Sequence, residues 1–170
     1  MTYKLPTPSE YDKELCMLFA KSCVYTNKDE YGRRNQDNTN KIVSDIYNGK
    51  LAEIMVHELF RKKDQKPFPV DFLIYDRFDK SFDADITTKK HKVHVKSCLG
   101  DSPFPNSWLF QPNDGLVTKP QKDEILALVV LNKDKSGYCY IIPAAHAVYG
   151  DPVKKSLNKK VIYEESLLNS

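Results

Sequence analysis

The chain reads as a single α/β domain, a mixed β-sheet flanked by helices. Three observations carry that expectation. Two long segments repeat apolar residues at three- and four-residue steps, as amphipathic helices do. Short alternating segments such as KVHVKS (92–97) carry the two-residue period of strands. The continuous apolar run EILALVVL (124–131) has the pattern of a strand covered on both faces. At 170 residues the chain can bury one core without metals or disulfides as staples.

In chain order, Thr7-Pro8-Ser9-Glu10 opens the first helix with Ser9 as N-cap, and Leu15, Leu18 and Phe19 supply its apolar stripe to about Tyr25. TNKDEYGRRNQDNTN (26–40) is too polar for a core and reads as an exposed loop. The second helix runs from about Lys41 to Lys62, where QKPFPV stops it through Pro67 and Pro69. VDFLIYD from Val70, SFDADI ending at Ile86 and KVHVKS then predict an antiparallel meander with turns at Arg77–Lys80 and Thr87–His91. A stretch with Pro103, Pro105, Pro112 and Pro120 follows, in which SWLFQ (107–111) fits either a strand or a helical turn. EILALVVL and YCYII (138–142) read as central strands joined by the turn KDKSG. The tail from Val153 to Leu168 fits either helix or strand. The core is expected within about 41–143, with the second helix on one face of the sheet and further helices on the other.

Composition excludes several classes. With 41% hydrophobic and 29% charged residues, no apolar run long enough for a membrane span and no leader-like N-terminus, a soluble intracellular protein is expected. Cys16, Cys23, Cys98 and Cys139 lack zinc-site spacing and read as reduced, structural thiols. A net charge of +3 suits a nucleic-acid binder and an ordinary surface equally. No phosphate-binding glycine loop, Ser-His-Asp order or zinc-finger spacing is present, so no nucleotide cofactor is expected.

The chemistry-bearing residues begin with Glu53. Ile42, Ile46, Gly49, Val56 and Phe60 define one buried stripe of the second helix, and Glu53 falls in its middle. A carboxylate facing a core costs several kcal/mol unless it is paired, protonated or bound to metal. In SFDADI, Asp83 and Asp85 alternate with Phe82, Ala84 and Ile86, which places both aspartates on the polar face of a strand. In HKVHVKS, Val93 and Val95 point one way, and His94 and Lys96 the other. A buried Glu53–Lys96 ion pair and a wet hairpin face are the structural alternatives to a site.

The order GKLAE (49–53), DADI (83–86) and HVK (94–96) resembles the PD-(D/E)XK nuclease superfamily over about Gly49 to Lys96. The resemblance implies a restriction-endonuclease-like core and a metal-dependent DNA endonuclease. Asp85 and His94 then become ligands to Mg²⁺ or Mn²⁺, Glu53 a supporting acid and Lys96 the residue handling the attacking water. Asp71 and Asp83 are second choices. The family carries Glu or Asp at the place of His94, and imidazole favours Mn²⁺ or other transition metals over Mg²⁺. The resemblance does not choose among restriction, homing, phage-type and junction-resolving enzymes. An inactive DNA-binding copy of the fold is the alternative. Arg33, Arg34, Lys92 and Gln111 are candidate nucleic-acid contacts, and cutting both strands of a duplex would suit a homodimer.

Overall fold

The structure, a computed structural model, describes residues 2–28, 31, 38–63, 65–75 and 83–168. Helix α1 (Glu10–Thr26) starts where the sequence places it. The Ser9 hydroxyl accepts the Asp12 amide at 3.1 Å while the Asp12 carboxylate accepts the Ser9 amide at 2.9 Å, a reciprocal cap that satisfies two otherwise unpaired donors. Helix α2 (Thr39–Lys62) is capped by Asn38, whose side chain accepts the Lys41 amide at 3.0 Å.

The strands are β1 (Thr2–Lys4), β2 (Ile86–Thr87), β3 (Lys92–Leu99), β4 (Ser107–Phe110), β5 (Glu124–Leu131), β6 (Gly137–Pro143) and β7 (Lys160–Tyr163), with short helices α3 (Gly115–Thr118) and α4 (Glu164–Leu168). Five of them form one mixed sheet in the order β1-β6-β5-β3-β2, in which only β3 and β5 are parallel, and β4 pairs with β7 in a second small sheet. The protein is thus a single α/β domain. Strand β5 lies at the centre, as its apolar run requires, and every residue from Ile125 to Leu131 is buried. The KDKSG turn joins β5 to β6. Gly137 is needed where the strands meet, since a Cβ there would stand 2.5 Å from the Val130 carbonyl oxygen.

Two apolar layers sandwich the sheet. On one face α1 and α2 bring Cys16, Ala20, Leu51, Met55 and Val56 against Val93, Ile125, Ala127 and Val129. On the other, Trp108, Phe110, Leu116 and Ile162 cover Leu126, Leu128, Val130 and Tyr140. Trp108 Nε1 donates to the Val129 carbonyl at 3.0 Å, so the indole is buried without losing its hydrogen bond. The expected helices on this second face are replaced by the β4–β7 sheet and two short helices. Prolines at 103, 105, 112 and 120 break any long helix there, and Trp108 and Phe110 bury alternate positions, as a strand does. The buried core also reaches beyond 41–143, through Leu5, Cys16 and Ala20 at one end and Val161 and Ile162 at the other.

Two strand expectations require correction. Residues 70–75 of VDFLIYD have no regular structure, and Leu73 is 66% exposed. Pro69 precedes the segment, and Asp71 folds it locally by accepting the Leu73 amide at 2.8 Å and the Tyr75 hydroxyl. Among the described residues of SFDADI, 83–86, only Ile86 is in a strand; residues 83–85 precede β2, and Asp83 and Asp85 lie in bends rather than on a pleated face. The loop expected over 26–40 is narrower than that, since Thr26 belongs to α1 and Thr39 and Asn40 to α2, and 29–30 and 32–37 lie outside the described residues. Of the tail, 160–163 is strand and 164–168 helix.

Candidate functional site

Glu53 sits on the sheet-facing side of α2 with its side chain 15% exposed, and Lys50, one turn earlier, places Nζ 2.5 Å from Glu53 Oε2. The same ammonium donates to the Asp71 carbonyl at 2.9 Å and lies 4.8 Å from the ring centre of Phe19 and 5.5 Å from that of Phe72. It is thereby held by a carboxylate, a carbonyl and two aromatic faces. Burial, then the Asp85 carboxylate, push the Glu53 carboxyl up to about 7 despite the opposing pull of Lys50, and Asp71 adds to the push. Three carboxylates therefore share one electrostatic neighbourhood with one ammonium.

Asp85 enters that neighbourhood because β2 is short. Its last pairing toward the bend is Ile86 with Val93, which leaves the Val95 amide facing the sheet edge, and Asp85 Oδ2 accepts that amide at 2.7 Å. The carboxylate takes the place of a missing strand residue. At Asp71, burial would raise the carboxyl, but hydrogen bonds from Tyr75 and the Leu73 amide and the charge of Lys50 outweigh it and hold the group below its ordinary range. Asp83 is exposed in the bend.

His94 and Lys96 lie on the other side of the sheet. Val93 and Val95 pack into the layer under α2, so strand alternation sends His94 and Lys96 toward the Phe110 layer. Lys96 Nζ stands 5.8 Å from the Phe110 ring centre. His94 Nε2 is buried without a hydrogen bond, 3.4 Å from Glu124 Oε1, and Glu124 Oε2 accepts the Gln121 amide at 2.7 Å. The expected constellation thus divides into two: Glu53 with Asp85 on the α2 side, and His94 and Lys96 on the Phe110 side. Lys92 and Gln111 are exposed; Arg33 and Arg34 lie outside the described residues. His57 places Nδ1 3.4 Å from Glu58, and all four cysteines are free thiols.

Sequence reasoning passed over Lys50 and Glu124. The three-residue step from Lys50 to Glu53 is visible in GKLAE and is the spacing at which helical side chains pair. Glu124 carries no local signal, because its approach to His94 depends on the parallel register that sets Lys92 beside Glu124 and His94 beside Leu126.

Glu53 and Asp85 are hard oxygen donors of the kind Mg²⁺ or Mn²⁺ takes. Mg²⁺ sites commonly use only one or two carboxylates and complete the shell with water and substrate phosphate. The donor types of the two carboxylates, which lie within electrostatic reach of each other, suit such an ion; His94, on the opposite side of the sheet, lies outside that donor set. Among the described residues, no three His, Cys, Asp or Glu side chains converge closely enough to hold a metal, and no helix is long and apolar enough to cross a membrane. No family model, curated protein or solved structure matches the chain.

Proposed function

We propose that the chain is a metal-dependent DNA endonuclease related to the PD-(D/E)XK nucleases, with Glu53 and Asp85 holding a divalent cation, Mg²⁺ or Mn²⁺. The observation that carries this reading is the position of Asp85: its carboxylate is fixed at the open edge of β3 by the Val95 amide, within electrostatic reach of the buried Glu53. Asp85 and Glu53 repel each other while Lys50 is paired to Glu53 alone, a crowding of carboxylates that a bound cation would relieve. The bound ion would neutralise the phosphoryl oxygens and lower the pKa of the attacking water.

The chain's own groups divide the remaining work. Asp85 is oriented by the backbone, and Lys50 orients Glu53 while placing a fixed positive charge beside the carboxylates, where charge develops on the phosphate. In this reading the water-handling role expected of Lys96 passes to Lys50. Lys89, Lys90 and Lys92, all exposed on the β2–β3 hairpin, suit contacts to a phosphate backbone, and Gln111 remains a candidate contact.

A second reading is favoured by one observation: His94 and Lys96, the family's ligand and lysine positions, face away from the carboxylates. That arrangement suits a nuclease-like fold that binds DNA without cutting it. Nicking of supercoiled DNA in EDTA, Mg²⁺ and Mn²⁺ by wild type, Lys50→Met and Lys96→Ala separates the two. Metal-dependent nicking lost in folded Lys50→Met and retained in Lys96→Ala supports the enzyme with Lys50 at its centre. Salt-sensitive DNA binding by a wild type that nicks with neither metal supports the binder.

A further inference from the structure

Helix α1 presents an apolar line to solvent. Tyr11, Leu18 and Tyr25 are 71%, 64% and 88% exposed, although the buried stripe of the same helix, Cys16, Ala20 and Val24, is fully committed to the core. The three recur every seven residues, so they lie along one side of the helix over about 21 Å at about 1.5 Å per residue. Single exposed apolar residues are ordinary, but three in register down a helix form a seam of the kind that pairs with another helix. Leu73, 66% exposed, belongs to the segment tied to the end of α1 through Asn27 Nδ2 and the Tyr75 carbonyl at 3.4 Å, and it adds apolar surface there.

We propose that this seam is the interface with a second copy of the chain, joined through antiparallel α1 helices about a two-fold axis at Leu18. The sequence of the seam is symmetric about its centre: Tyr11 and Tyr25 stand equally far on either side of Leu18. An antiparallel pair therefore sets Leu18 on Leu18 and each Tyr11 against the other copy's Tyr25, as an isologous contact requires. The charges agree with that direction. Glu14 and Lys21 are both exposed and occupy the same flank of the seam, each three residues after a seam residue. The two-fold axis brings like flanks together with the direction reversed, so Glu14 of one copy meets Lys21 of the other. A parallel pair would instead bring opposite flanks together, so Glu14 and Lys21 would not meet and this charge match would be lost. The occupant that matches both the spacing and the charges is the same helix, inverted.

Sedimentation equilibrium over a range of concentrations, without DNA or metal, tests the interface independently of the nuclease reading. Wild type is expected to form a species of twice the chain mass. Leu18→Glu, an exposed position that the fold tolerates, should raise the dimer dissociation constant by on the order of 30-fold or more. Glu14→Lys and Lys21→Glu should each weaken the dimer, and the double swap Glu14→Lys/Lys21→Glu should restore it. Leu18→Cys should form a covalent dimer under mild oxidation while wild type does not. A wild type that stays monomeric at its highest soluble concentration would overturn the proposal. So would a dimer indifferent to Leu18→Glu and to the charge swap, since it would lie on another surface.

Discussion

Lys50 Nζ lies 2.5 Å from Glu53 Oε2, and both side chains are nearly buried, at 11% and 15% exposure. The two halves of this pair do not contribute equally. Lys50→Met leaves Glu53 buried without its counter-ion and the Asp71 carbonyl without its donor, so it should cost about 1–3 kcal/mol, the loss being limited by protonation of Glu53. Glu53→Gln keeps an acceptor for Lys50 and removes the crowded charge, so it should fall within about 1 kcal/mol of wild type. Urea unfolding of the two variants at neutral pH measures the asymmetry.

The Glu53 carboxyl, raised from 4.5 to about 7 by burial and then by Asp85, makes stability depend on pH. In this window the folded chain holds a proton that the unfolded chain releases, so stability is fully present below about 4.5 and is lost as pH rises through about 7. The loss amounts to about 3 kcal/mol at most, since each pH unit between the two values is worth about 1.4 kcal/mol. Asp71 and Glu164, both held below their ordinary range, act oppositely and lose their contribution only as pH falls through the acidic range. Unfolding free energies measured from pH 5 to 8 should therefore decline, and the decline should flatten in Glu53→Gln and in excess Mg²⁺. A flat wild-type profile would contradict the raised carboxyl.

Glu164 anchors the C-terminal elements to the sheet. Its Oε1 accepts the hydroxyls of Tyr138 at 2.7 Å and Tyr140 at 2.8 Å, and its Oε2 accepts Asn106 Nδ2 at 2.8 Å. Charge-assisted bonds of this kind are worth about 1.5–3 kcal/mol. Glu164→Ala should lower the melting temperature well beyond Tyr138→Phe, which removes a single donor. Thermal scans of both variants, with nicking measured in parallel, should show stability falling without loss of activity in the folded protein.

Much of the fold was legible in the residues themselves. Ser9 as the cap of α1 and the doubly covered β5 follow from local pattern, and each is where that pattern places it; of the expected α2 stripe, Ile42, Val56 and Phe60 are buried while Ile46 and Gly49 are half-buried. Strand β1 was not legible, because Thr2–Lys4 carries almost no apolar signal and exists through pairing with Tyr138–Tyr140. The strand expected at VDFLIYD failed for the reverse reason: its apolar residues are largely exposed, and Asp71 closes a local turn.

The site was legible in part. Glu53 stands on the buried stripe, and that stripe must face the apolar residues of β3. Those are Val93 and Val95, so the residues between and beyond them turn to the opposite side. Residue types and order in GKLAE, DADI and HVK indicate chemistry, but the face each side chain takes depends on which layer the helix covers. The Asp85 bond to the Val95 amide was likewise hidden, since it depends on β2 ending after two residues.

The most direct test of the carboxylate site is single-turnover nicking of supercoiled DNA by wild type and Asp85→Asn, side by side in Mg²⁺ and in EDTA. Asparagine still offers an oxygen to the Val95 amide, so the fold is retained while the anionic ligand is removed. Wild type is expected to nick in a Mg²⁺-dependent way, and the folded variant to nick at least about 100-fold more slowly. Equal nicking by the two proteins, or wild-type nicking that persists in EDTA, would contradict that expectation.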